Sequence, residues 1–294
     1  MKKFFSSFLV FLILINCSVI PQKTYDMQKY FKIADSLLMN DEKEKLSDFT
    51  YQNLFPNIQR LDKNKKARLL NYLNISKNTK YKSIANDYIK NNISKINKCT
   101  LDSSSISYYN ELISCNSPDY DSLRNNFREI MFRDQYYRQL PDNYFTGTKA
   151  VIDSIMRVIT DNDNQNREGI ERALSKYSIE KIAANDCDCS LLETIWFVAQ
   201  HSDSNLSFQK KILQMFSHPL TNTKPQYYTY LTDRVNINEG KKQIYGTQMR
   251  FNPATEKMET SPLKNPKKID RLRFRNDLID LQVYVKFSNK PDKK

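Results

Sequence analysis

His201 and His218 are the chain's two histidines among 294 residues, and histidine is the side chain whose ordinary proton affinity lies nearest neutral pH. His201 stands in Q-H-S-D, residues 200–203, with Asp203 two positions on. A carboxylate on one ring nitrogen would leave the other free to take a proton as a general base. Asp233, in Y-L-T-D-R-V at 230–235, is the second carboxylate suited to that task. His201, Asp203 and Asp233 are therefore the expected catalytic set of a hydrolase, with Asp203 or Asp233 orienting His201. The bland alternative is a histidine that caps the end of its helix and favours the helix dipole. His218 precedes Pro219 and reads as loop.

Neutral polar residues gather in one stretch. Residues 230–248, YLTDRVNINEGKKQIYGTQ, hold two of the four glycines, Gly240 and Gly246, with Asp233, Arg234, Gln243, Tyr245, Thr247 and Gln248. Upstream, Gln135 and Arg138 share a helix face at i,i+3, while Asp134 and Arg138 at i,i+4 read as a surface pair worth a few tenths of a kcal/mol. Gln135, Arg138, Arg234, Gln243, Tyr245, Thr247 and Gln248 form the expected ligand-binding set, and such groups suit an amide, sugar or peptide better than a phosphate. Asp233 and Arg234 are adjacent on a helix and point about 100° apart, so one of them should anchor the helix to the hairpin. No Gly-rich phosphate loop or G-x-S-x-G elbow occurs. His201, Asp203 and Asp233 are also the one combination that could converge on a metal, but they lack H-E-x-x-H or C-x-x-C spacing. No metal and no cofactor is expected.

The elements that position these residues are mostly helices. Residues 24–116 carry four apolar stripes at helical spacing, among them Tyr30, Phe31, Ala34 and Leu37, and Leu69, Leu70 and Leu73; Pro56 breaks the second. A turn-rich stretch at 116–118 suggests a boundary. Helices are then expected near 123–138, 149–160, 169–177, 191–199, 206–216 and 225–239, with residues 161–167 a polar loop. Asn205 or Ser204 should cap the fifth, Pro225 should open the sixth and Gly240 should stop it. Residues 241–251 alternate as a strand does, and 257–261 should return as its hairpin partner. A short basic helix begins near Pro266, and 278–287 is apolar but ambiguous.

Bulk properties bound the partners. The net charge is +13, yet lysines are spread among Asn, Ile, Tyr and Ser without an arginine stripe, so a solvated surface is expected and no nucleic acid. Lys2 and Lys3 precede an apolar run at 4–15 that is too short to span a bilayer, which reads as an export signal. Leu14-Ile15-Asn16-Cys17 resembles a lipobox, although Asn16 stands where Gly, Ala or Ser is usual; Cys17 is the expected lipidation site. Export permits disulfides. Cys99 with Cys115 would close a loop worth about 3 kcal/mol, and Cys187-Asp188-Cys189 reads as a loop of free or cross-linked thiols.

Six motifs appear in order: D-Q-Y-Y-R (134–138), Q-H-S-D, Y-L-T-D-R-V, G-K-K-Q-I-Y-G-T-Q (240–248), Pro262-Leu263 and I-D-R-L-R (269–273). Together, over about residues 120–287, they resemble a bacterial exported or lipoprotein family with a domain of unknown function. Arg275-Asn276-Asp277-Leu278 replaces a usual Gly-Leu, which bears on the C-terminal turn. The resemblance implies no established activity.

The resulting expectation is an α+β, predominantly α-helical fold. It comprises a signal at 1–18, a multi-helix region at 19–117 and a helical C-terminal domain with a β-hairpin at 118–294. Functionally it is an exported envelope lipoprotein, periplasm-facing or on the surface, anchored to the membrane through Cys17. It would act as a binding or adaptor module with a polar groove around His201, Asp233 and Tyr245, taking an envelope protein, peptide or glycan; the alternative is the hydrolase.

Overall fold

The computed structural model describes residues 22–101, 120–139, 148–220 and 223–289. Cys17 and the 116–118 boundary lie outside them. Among the described residues are 12 α-helices and one two-stranded antiparallel hairpin, an α+β fold that is predominantly helical. None of these helices is long and apolar enough to cross a membrane.

The first four helices are α1 (Gln22–Met39), α2 (Lys43–Phe49), α3 (Lys63–Asn74) and α4 (Thr79–Asn92). After α2 the chain widens into one π turn, Thr50–Leu54, and then tightens into a 3₁₀ segment, Phe55–Arg60, that contains Pro56. Asp62 starts α3 by accepting the N–H groups of Asn64 and Lys65 at 3.1 and 2.9 Å, and Asn78 caps α4 by accepting Lys80 N–H. Phe31, Leu46, Leu54, Leu69, Leu70, Leu73 and Ile89 bury their apolar stripes in one core.

A second core belongs to α5 (Asp121–Tyr136), α6 (Lys149–Lys176), α7 (Ile179–Ala184), α8 (Ser190–His201), α9 (Leu206–Phe216) and α10 (Pro225–Asn238). Phe127, Ile130, Ile170, Leu191, Ile195, Phe208, Ile212 and Leu231 fill it. Asp186 opens α8, its two oxygens accepting Leu191 N–H and Leu192 N–H at 3.0 Å each. Asn205 caps α9 through Phe208 N–H. Gly240 takes φ +72° and ends α10 in a Schellman turn, with Gly240 N–H on Ile237 O at 2.8 Å and Lys241 N–H on Asn236 O at 2.7 Å. The hairpin β1 (Met249–Asn252) and β2 (Lys257–Thr260) then leads to α11 (Ile269–Arg275) and α12 (Leu281–Ser288).

Three expectations are corrected. Residues 161–167 are not a loop, because α6 runs through them. Asp163 and Asn166 continue the stripe of Ile152, Ile159 and Ile170 and are held there by Arg138 and Arg133 of the α5 segment. Gly169 sits in the same contact: a Cβ there would meet Ile130 at 2.8 Å. Second, the strand begins at Met249 and not at 241, since amides of the intervening residues turn toward the Asp233 carboxylate. Third, Cys99 pairs with Cys189 and not with Cys115, at a Cα separation of 5.5 Å; Cys187 is disulfide-bonded as well. A bridge spanning 90 residues constrains the unfolded chain by about 4–5 kcal/mol in the loop-entropy account.

Charge fastens the C-terminal turn to the first core. Arg68 of α3 pairs with Asp35 of α1 and, at 3.3 Å, with Asp277 beyond α11, and the Tyr72 hydroxyl donates to Asp35. Asp277 has φ +54°, a backbone that favours glycine, and its buried carboxylate faces the guanidinium. Removing one partner of a buried ion pair strands the others. Arg68→Met should therefore lower the unfolding free energy in urea by about 3–5 kcal/mol. The same change at exposed Arg172, which sits 3.8 Å from Glu168, should stay within about 0.5 kcal/mol.

Candidate functional site

The segment between α10 and β1 is built around Asp233, which is wholly buried. Its carboxylate accepts Ile244 N–H at 2.6 Å, Tyr245 N–H at 3.0 Å, Thr247 N–H at 2.9 Å and the Thr247 hydroxyl at 2.9 Å. A strand would send successive N–H groups to opposite sides; here three converge, because Gly246 at φ +67° reverses the chain between them. A Cβ on Gly246 would stand 3.0 Å from Leu281 and 3.2 Å from Leu263, so the position suits glycine on two counts. Arg273 of α11, almost fully buried, closes the loop from behind by donating to Tyr245 O and Gly246 O at 2.7 and 2.9 Å. Gln243 donates to Ser261 O at 2.6 Å and accepts Gln248 N–H at 3.0 Å. Asp233, Gln243 and Thr247 are thus the frame of the loop, their polar atoms satisfied from within.

Arg234 points the other way and binds Asp203 through Nε at 2.8 Å and through Nη2, with Nη1 on Gln248 Oε1 at 3.2 Å. Asn238 and Gln209 also donate to Asp203. Burial pushes the Asp203 carboxyl up, but these hydrogen bonds and the Arg234 charge hold it below the usual carboxylate range. Gln248 additionally donates to Tyr230 O. Tyr245 is half-buried, and burial, with Tyr228 and Asp233 nearby, pushes its phenol up.

The carboxylate at the His201 ring is Asp134, not Asp203 or Asp233. His201 Nδ1 lies 3.0 and 2.8 Å from the two oxygens of Asp134. Asp134 is 1 % exposed and His201 22 % at the side chain, so the expected surface pair at Asp134 and Arg138 is an interior one. Gln135 donates to Asp134 Oδ2 at 2.7 Å. Arg138 donates to the Asp134 carbonyl at 2.5 Å and, through Nη2, to both oxygens of Asp163 at 2.7 Å. Burial pushes the Asp163 carboxyl up and Asp134 adds to that, while Arg138 and His201 pull it down. His201 Nε2 has no protein partner among the described residues.

The expected site residues therefore divide into three groups: His201, Gln135 and Arg138 around Asp134; Asp203, Arg234 and Gln248; and Asp233, Gln243, Tyr245 and Thr247. Sequence reasoning missed Asp163 and Arg273. The signal for Asp163 was present, since it and Asn166 fall on the apolar stripe of α6 once that helix is continued. Arg273 likewise occupies an inward position of α11.

A family of unknown function, DUF6624, matches residues 123–291. The chain belongs to that family. Its span holds all three clusters and leaves α1 to α4 outside. Comparisons with curated proteins and with solved structures find no match.

The Asp233 cluster carries a direct test. Asp233→Ala leaves three inward amides without an acceptor, each costing about 1–3 kcal/mol. Hydrogen exchange at Ile244, Tyr245 and Thr247 should accelerate roughly 100-fold, about 3 kcal/mol of local stability, while amides in the core of α3 keep their protection.

Proposed function

We propose that this DUF6624 protein is an exported, membrane-anchored envelope module that recognises a ligand at His201. One observation carries the reading: the imidazole is fixed through Nδ1 on a buried carboxylate, and its Nε2 is directed outward from a part-exposed ring. A ring held in this way presents one hydrogen-bonding atom in a set position, and that pre-organisation favours binding. The Gln243 and Thr247 side chains serve the frame, so the recognition surface narrows to His201, with Tyr245 the remaining unspent side chain of the loop. Peptide and glycan components of the envelope are the ligand classes these neutral donors and acceptors suit. Cys17, as the lipidated residue, would supply the anchor.

Hydrolysis is the second reading, and Asp134 favours it. A buried carboxylate behind the ring stabilises the imidazolium formed when Nε2 takes a proton from water, which recognition alone does not require.

Three measurements test this. Thermal shift of the full chain against oligosaccharides and short peptides should find a ligand that raises Tm by about 5–10 °C at a hundredfold excess over Kd. His201→Ala should abolish that shift and Tyr245→Phe should reduce it; a shift that survives His201→Ala rejects the site. Turnover of the ligand, lost in Asp134→Asn, would favour hydrolysis. Mass spectrometry of the mature protein should find a diacylglyceryl-modified Cys17 as the first residue, and an unmodified N-terminus beyond Cys17 would overturn the anchor.

A further inference from the structure

Asp134 lies beside both His201 and Arg138, and of these two only His201 hydrogen-bonds its carboxylate. His201 Nδ1 reaches both of its oxygens, whereas Arg138 Nη1 stands 3.5 Å from Oδ1, outside good hydrogen-bond range, although it donates to the carbonyl of the same residue at 2.5 Å. A guanidinium that close would ordinarily turn onto the carboxylate, since charged and bidentate pairing is the strongest contact open to it. It does not, because Nη2 is engaged by both oxygens of Asp163 at 2.7 Å. Asp163 reaches it from a different helix, α6, on the stripe that also carries Ile159, Asn166 and Ile170.

We propose that Asp163 is a positioning residue that works by sequestering Arg138, so that the Asp134 carboxylate is left for His201. Asp163 does not touch the ring. It decides which donor Asp134 serves, and hence that the proton of a neutral imidazole sits on Nδ1 and the lone pair on Nε2. This deepens the reading of His201 as the presented group and rests on it, but the test uses neither ligand nor turnover.

The side chains of the two histidines can be followed by long-range ¹H–¹⁵N correlation on the ¹⁵N-labelled full chain in mild detergent, at a pH where both imidazoles are neutral. His218, outside this cluster, serves as the internal reference. Native His201 should be predominantly the Nδ1–H tautomer. In Asp163→Asn the freed Arg138 should take Asp134, and the Nδ1–H population of His201 should fall at least twofold toward the Nε2–H form. Arg138→Gln should keep the native tautomer, because the competitor is gone. The double variant Asp163→Asn/Arg138→Gln should recover it, a rescue that a merely structural role for Asp163 would not produce. The proposal is overturned if Asp163→Asn leaves the tautomer unchanged, or if the double variant is as perturbed as Asp163→Asn. Should Asp163→Asn not fold, Arg138→Gln decides alone: loss of the Nδ1–H form there would mean that Arg138 holds Asp134 for His201 and does not compete for it. A native tautomer with no ligand found at His201 would leave this device standing and reject the recognition reading.

Discussion

A carboxylate removed from water must be surrounded by donors, and this fold is arranged around that constraint. Asp233 is the clearest case. One buried acid on α10 gathers three backbone N–H groups and a hydroxyl from a segment that would otherwise alternate as a strand. That convergence requires the reversal at Gly246, brings Arg273 against the loop carbonyls, and sets where β1 can begin. The hairpin, α11 and α12 take their places from it. Asp186 applies the same rule at the start of α8, which in turn carries His201 at its far end.

The same constraint joins the two halves of the chain. Asp35 comes from a helix of the first core and Asp277 from the C-terminal turn, and Arg68 is the cation between them. The Cys99–Cys189 bridge ties the first core to the N-terminus of α8. Elements outside the DUF6624 span thus contact it at Cys189 and at Asp277. At Asp134 the rule acquires a consequence for chemistry, because the donor supplied is a titratable ring with its second nitrogen turned outward.

Much of the helical framework was legible. The stripes of α3, α5, α8 and α9, the cap at Asn205, Pro225 at the start of α10 and Gly240 at its end follow from local spacing and backbone preference. The loop expected at 161–167 was not, because Asp and Asn weakly disfavour a helix interior, and Arg133 and Arg138 hold Asn166 and Asp163 from across the interface. The strand expected at 241–248 failed for a related reason: alternation describes side chains, and the backbone there answers to a carboxylate eleven residues away in sequence. As for the site, the motifs containing His201, Asp203, Asp233 and 243–248 did not say which acid meets which donor.

What the sequence determined by itself was periodicity, caps and breakers, since these act within a few residues along the chain. It therefore placed most helices and the hairpin. Only the tertiary structure decided that Asp134, 67 residues from His201, is its partner, that Asp163 occupies Arg138, and that Cys99 joins Cys189. Each is a pairing between elements far apart in sequence. Several donors and acceptors of similar strength compete for each partner, and the packing of α5, α6 and α8 selects which of them meet.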